Sequence, residues 1–169
     1  DGGALTKIPW DVTVLMGGGF ALAEASKESG LARWLAEGLS GMRGFPPLAI
    51  LFCAVFLTSF VTEVNSNLAA TNMLLPIVAE MGVVLGFNPQ GLMVCVTIAC
   101  SFAFMLPIAT PPNAIAFSTK VITTRDMLTT GVFLNIASCV LLTIWAPLAF
   151  SAVFGMPMFE VPEWAVRQT

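Results

Sequence analysis

The 169-residue chain is 57% hydrophobic and only 10% charged, with a mean hydropathy of +0.88 and a formal net charge of −3. Soluble domains run at roughly 45–50% apolar and about 25% charged, so a water-soluble globule is excluded. The 7 basic residues are scattered, which removes a nucleic-acid-binding surface as well.

The charges are placed as in a membrane-embedded chain. Between Arg43 and Lys120 the only ones are Glu63 and Glu80, and between Asp126 and Glu160 there are none. The chain contains no histidine, so histidine catalysis, ligation and proton relays are absent. Cys53, Cys95, Cys100 and Cys139 lie inside apolar runs and suit neither disulfides nor a zinc site; they read as inert thiols. No enzyme chemistry, cofactor or transition-metal site is expected. A bilayer-spanning helix takes about 20 apolar residues, which leaves room for four or five elements. That is few for a carrier, and with Asp1 at the start the chain is expected to be a fragment or half of something larger.

The first apolar element covers residues 8–23, and a spanning helix is expected within 1–25. Pro9 suits a first helical turn and Trp10 an interfacial anchor. Gly17, Gly18 and Gly19 would let a neighbouring helix approach or admit a ligand. Residues 26–43 place Leu31, Trp34, Leu35, Leu39 and Met42 on one helical face. This amphipathic helix, within segment 26–44, either lies in the membrane interface or connects elements in water.

Two apolar arms follow in 45–85, at 46–61 and 68–84, separated by Thr62-Glu63-Val64-Asn65-Ser66-Asn67. The arms are two spanning helices with an external polar loop, or one re-entrant helical hairpin with its polar tip at membrane depth. Ser66 or Asn67 can cap the second arm. Segment 86–126 holds the middle of the longest uncharged run, interrupted at Leu106-Pro107-Ile108-Ala109-Thr110-Pro111-Pro112-Asn113. Three prolines there cannot continue an ordinary helix. In hydrocarbon such a break is tolerated only where the backbone is buried in protein or lines a polar cavity. Asn113 is expected to cap a short second half-helix from 114 to about 120; a proline kink without function is the alternative. Segment 127–169 supplies a final spanning helix at about 127–150 and a tail. Lysines and arginines are nearly balanced between the two sides in the hairpin topology, so the positive-inside rule does not set orientation.

Both interruptions are polar, uncharged breaks from which a second helix starts. Helix N-termini favour an anion, while unwound carbonyls with Asn and Thr oxygens suit an alkali cation. Anion and cation held side by side at discontinuous helices are the mark of a secondary transporter. The runs 62–67 with Ala69-Ala70-Thr71, and 101–114, from Ser101-Phe102-Ala103-Phe104-Met105 through Asn113-Ala114, resemble the divalent anion/sodium symporters, carriers of dicarboxylates, tricarboxylates or sulfate. Essentially the whole chain resembles the C-terminal half of such a carrier.

The resemblance implies an all-α membrane fold, one repeat of an inverted-repeat transporter with a re-entrant hairpin and a discontinuous helix. It implies a sodium site from Thr62, Asn65, Asn67 and the Ala109 carbonyl, and substrate contacts from Ser66, Asn67, Thr110 and Pro111. Sodium is the implied coupling ion and a small divalent anion such as succinate, malate or sulfate the implied substrate. The implied setting is the lipid bilayer of a plasma membrane, in bacteria the inner membrane. A homodimer is implied, with the amphipathic helix linking a dimerising scaffold to a mobile domain that moves like an elevator. Two departures stand out: Leu68 occupies the third place of a motif that is often Ser-Asn-Thr, and only one tip and one broken helix are present, so an N-terminal half with the partner repeat is expected elsewhere. Rival readings are an antiporter or arsenite-permease type of carrier, or a non-transporting membrane subunit. Glu63 either stabilises the hairpin or couples to a cation, and Glu80 is expected at the interface.

Overall fold

Paired prolines open the first helix. Pro46 stands at its N-cap and Pro47 at its first helical position, where a missing N–H costs nothing. In the computed structural model, residues 44–166 are described throughout, with scattered positions between Thr13 and Gly41. The elements expected at 8–23 and 26–43 lie outside the described residues apart from those scattered positions.

Six helices follow, with no strand among the described residues: α1 (Pro47–Val64), α2 (Asn67–Leu85), α3 (Pro89–Ala99), α4 (Pro111–Ser118), α5 (Thr124–Phe154) and α6 (Glu163–Val166). Three of them, α1, α2 and α5, are long and apolar enough to cross a membrane. This is an all-α integral membrane protein.

α1 and α2 are joined by Asn65 and Ser66 alone, so most of the polar cluster at 62–67 is helical. Ser66 caps α2 by accepting the Ala69 N–H, as its residue type suggests. α2 ends where Gly86 turns left-handed (φ 81°). Gly86 N–H donates to the Val83 carbonyl and Phe87 N–H to that of Gly82, the paired Schellman bonds that close a helix C-terminus. Asn88 then caps α3 through the Gln90 N–H, with Pro89 at the first helical position.

α3 sits at the centre. Its 11 residues rise only about 16 Å, against about 30 Å of hydrocarbon. Leu92, Cys95, Val96 and Ala99 are all buried, and α1, α2 and α5 pack around them. Close approach is bought with missing side chains. A Cβ on Gly82 would stand 2.9 Å from Pro89 Cα, and one on Gly91 2.9 Å from Met158 Cγ. The segment after α5 folds back over this end: Met158 is buried, its carbonyl accepts the Asn88 N–H at 2.9 Å, and Phe159 meets Phe87 edge to face.

α5 is 31 residues long, about 46 Å, and starts earlier than expected because Thr123 and Asp126 form a capping box. Its buried stripe of Gly131, Asn135, Cys139, Thr143, Ala146 and Phe150 keeps a nearly four-residue period and faces α1 and α3. At Gly131 an added Cβ would collide with the Phe104 carbonyl oxygen and lie 2.5 Å from Met105 Cα. Backbone cannot yield as a flexible side chain does. Gly131→Ala is therefore expected to destabilise the protein by about 1–3 kcal/mol, seen as a lower melting temperature in detergent. Gly44→Ala, where an added Cβ meets nothing within 4 Å, should leave the melting temperature unchanged.

Candidate functional site

The chain between α3 and α4, residues 100–110, carries no regular helix. It begins well before the first of the three prolines, so the break is longer than the 106–113 run expected from them. Its backbone groups need partners in an apolar setting, and two side chains supply several. Glu63, near the end of α1, is 2% exposed. Met105 N–H donates to its Oε1 at 2.8 Å, Leu106 N–H to its Oε2 at 3.0 Å, and Asn135 Nδ2 of α5 to Oε1 at 3.1 Å. A carboxylate accepts only, which suits three converging donors. Asn113 serves the opposite polarity, its Nδ2 donating to the Ala103 carbonyl at 2.8 Å and the Leu106 carbonyl at 3.0 Å.

Asn113 is therefore not the helix cap expected from sequence. α4 starts at Pro111 with Thr110 at its N-cap, because Pro111 and Pro112 fit the first two helical positions. Asn113 lies inside that first turn and stitches the break. All three Glu63 hydrogen bonds go to the break and to α5, and none to the second arm of the pair α1–α2.

A cavity of about 510 Å³ opens between the hairpin tip and the break, lined by Ser66, Asn67, Ser101, Ala103, Phe104, Ala109, Thr110, Pro111, Pro112 and Asn113. Its size falls in the roughly 300–1,000 Å³ range of small-molecule sites, and none of these residues is charged. Ser66, Asn67, Ala109, Thr110, Pro111 and Asn113 are thus brought together from positions over 40 residues apart. Thr62 is buried behind them, its Oγ1 2.7 Å from the Cys100 carbonyl and 2.8 Å from Asn67 Oδ1. Asn65 stays exposed outside the lining, its Oδ1 accepting the Ser66 N–H. Ser101 and Phe104 belong to the lining without having been assigned a role from sequence. Asn135 was missed altogether; an amide in the middle of an otherwise apolar span was its one signal.

The polar groups keep bonding capacity toward the cavity. Ser66 spends an oxygen lone pair on its cap and keeps its O–H as a donor. Thr110 makes no side-chain cap bond. The N-termini of α2 and α4 both meet the cavity, and each carries a partial positive charge; α4 offers fewer donors because two of its first residues are prolines.

Residues 4–159 match the family described as the sodium:sulfate symporter transmembrane region. Solute carrier family 13 member 2 of Oryctolagus cuniculus is 43% identical over 162 residues, covering 94% of this chain and 26% of the relative. The Na(+)/dicarboxylate cotransporter 3 of Rattus norvegicus is 39% identical over 158 residues, with 94% and 26% covered. The Na(+)/citrate cotransporter of Mus musculus is 38% identical over 162 residues, with 96% and 28% covered. The chain spans about a quarter of the length of these curated relatives.

Removing the Glu63 carboxylate leaves three donors unpaired, two of them in buried bonds, at about 1–3 kcal/mol for each buried one. In Glu63→Ala, amide hydrogen exchange at 103–107 is expected to speed by about tenfold or more, while amides of α3 at 92–96 keep their protection. Unchanged exchange at 103–107 would show that something other than Glu63 holds the break.

Proposed function

The chain belongs to the sodium:sulfate symporter family, and from that premise we propose that it forms one half of the binding site of a sodium-coupled carrier of small divalent anions. Dicarboxylates such as succinate and malate are the first candidates, sulfate the next. The observation that carries this reading is the shared, uncharged cavity between the hairpin tip and the break, flanked by two helix N-termini. Ser66 O–H, Asn67 Nδ2 and Thr110 O–H are the donors for a carboxylate or sulfate, with Pro111 shaping the approach.

The cation belongs on the oxygen-rich side. Thr62 has one hydroxyl proton and two oxygen neighbours, the Cys100 carbonyl and Asn67 Oδ1. The hydroxyl can donate to only one of them at a time; when it donates to the Cys100 carbonyl, Thr62 Oγ1 and Asn67 Oδ1 face each other as two acceptors, an arrangement that sodium relieves. In this reading Thr62, Asn67 and the Ala109 carbonyl ligate sodium, and Asn65 joins only if the tip turns it inward. The anion and the cation then share Asn67, oxygen to one and nitrogen to the other, which couples their binding.

The hairpin is read as re-entrant. Asn135, which contacts Glu63 beside the tip, stands 11 residues inside α5 from Thr124, about 17 Å along that helix. From Met127 onward α5 carries no charged residue, so a tip beside Asn135 lies against apolar helix. In this reading Asn65–Ser66 reaches membrane depth, and an inverted repeat supplies the facing half of the site within a homodimeric carrier. Leu68 presents no hydroxyl to the anion, which shifts selectivity toward substrates held by Ser66, Asn67 and Thr110.

The test is uptake of labelled succinate, and separately sulfate, by the complete protein in proteoliposomes. An inward sodium gradient should drive uptake that choline does not. Asn67→Ala or Thr110→Ala should weaken it about tenfold or more, as loss of a hydrogen bond to a charged ligand does. Equal uptake in choline would favour an antiporter or arsenite-permease type of carrier, and indifference to both substitutions would overturn the site.

A further inference from the structure

Asn135 is fully buried in the N-terminal half of α5, 72 residues from Glu63 in sequence. Its Nδ2 donates to Glu63 Oε1, while its Oδ1 has no partner among the described residues. Burying an amide oxygen without a hydrogen bond costs about 1–3 kcal/mol, and an apolar side chain of similar size would avoid that cost. The group is placed for its nitrogen.

That nitrogen meets the same carboxylate oxygen that takes the Met105 N–H, while the second oxygen takes the Leu106 N–H. Three donors from two elements hold the carboxylate. Two of them are backbone groups of the break; Asn135 belongs to α5, a long helix that carries no cavity residue itself. One turn earlier, Gly131 lets that helix touch the break at Phe104 and Met105. From Met105 the chain runs only four residues to Ala109 and five to Thr110, both of which line the cavity, so the carboxylate that holds residues 105–106 stands close along the chain to two lining residues.

We propose that Asn135 is a positioning residue for the cation site, acting through Glu63: it orients the carboxylate that holds residues 105–106, and so sets where the Ala109 carbonyl and Thr110 stand. This rests on the reading of the cavity as a sodium and anion site. Glu63 in this scheme touches neither ion. Its role resembles that of groups behind metal ligands, whose loss typically costs 10–100-fold in affinity.

The experiment is sodium titration of anion uptake by the complete protein in proteoliposomes, comparing the parent with Asn135→Leu, Asn135→Ser and Glu63→Gln. The half-saturating sodium concentration should rise about tenfold in either Asn135 variant. Maximal uptake at saturating sodium should change less than threefold per correctly inserted protein. The Asn135→Leu/Glu63→Gln double variant should show no more than the larger single shift, because both substitutions disturb one carboxylate. Asn135→Ser tests the idea if Leu prevents folding: it is smaller and too short to reach Glu63. If the serine variant also fails to fold, a Glu63→Gln shift in half-saturating sodium supports the scheme, and its absence contradicts it. A folded Asn135 variant with unchanged half-saturating sodium and a lowered melting temperature would overturn the proposal, as would additive shifts in the double variant. A parent without sodium dependence would instead overturn the underlying reading of the cavity.

Discussion

One carboxylate determines the shape of this site. Eleven residues of irregular backbone, 100–110, run between α3 and α4 with Cys100, Ala103 and Met105 buried, and within a membrane such backbone persists only where its groups find partners. Glu63 takes two consecutive N–H groups of that stretch and Asn113 takes two of its carbonyls. With those four bonds in place the chain can leave α3, turn, and restart at Thr110 as α4. The cavity exists because the break is held open at this place, beside the hairpin tip.

Magnitudes suggest what such an arrangement is for. Hydrogen bonds to a charged acceptor contribute about 1.5–3 kcal/mol each, while desolvating a buried carboxylate costs several kcal/mol. The terms are of the same size, so Glu63 adds little net stability. Its effect is to select one course for the break over others of equal compactness, which a hydrophobic residue, lacking directional bonds, would not do. The neighbouring seam follows the same logic: Ser59 and Cys139 meet one turn away from Glu63 and Asn135, with Cys139 Sγ 3.6 Å from Ser59 Oγ. The α1–α5 contact is polar beside the cavity and becomes apolar toward Leu51 and Phe150.

Much of this was legible in the sequence because it is local. The two polar interruptions, the serine cap of α2 and the final span all follow from residue types within a few positions of one another. Other features were not legible, for a physical reason. The break starts at Cys100, yet Ser101–Leu106 contains no Gly or Pro and would continue a helix by propensity. The backbone N–H groups of Met105 and Leu106 go instead to a carboxylate 42 and 43 residues upstream. Pro111 and Pro112 look like helix breakers but open α4, and that change of role moves Asn113 from cap to brace. Asn135 has no local signature beyond being an amide in an apolar span, because its meaning lies entirely in a partner 72 residues away.

The small number of charges is consistent with this design. Anion and cation would meet amides, hydroxyls, carbonyls and helix ends, with the one nearby carboxylate turned away from the cavity and occupied by backbone. The most direct test is a density map of the complete protein at a resolution that shows ions, in sodium and in choline. The account predicts a sodium-dependent peak beside Thr62 Oγ1, Asn67 Oδ1 and the Ala109 carbonyl, with the Glu63 oxygens still bonded to the Met105 and Leu106 N–H groups in both. A cation coordinated by the Glu63 carboxylate, or a continuous helix through 100–110, would contradict it.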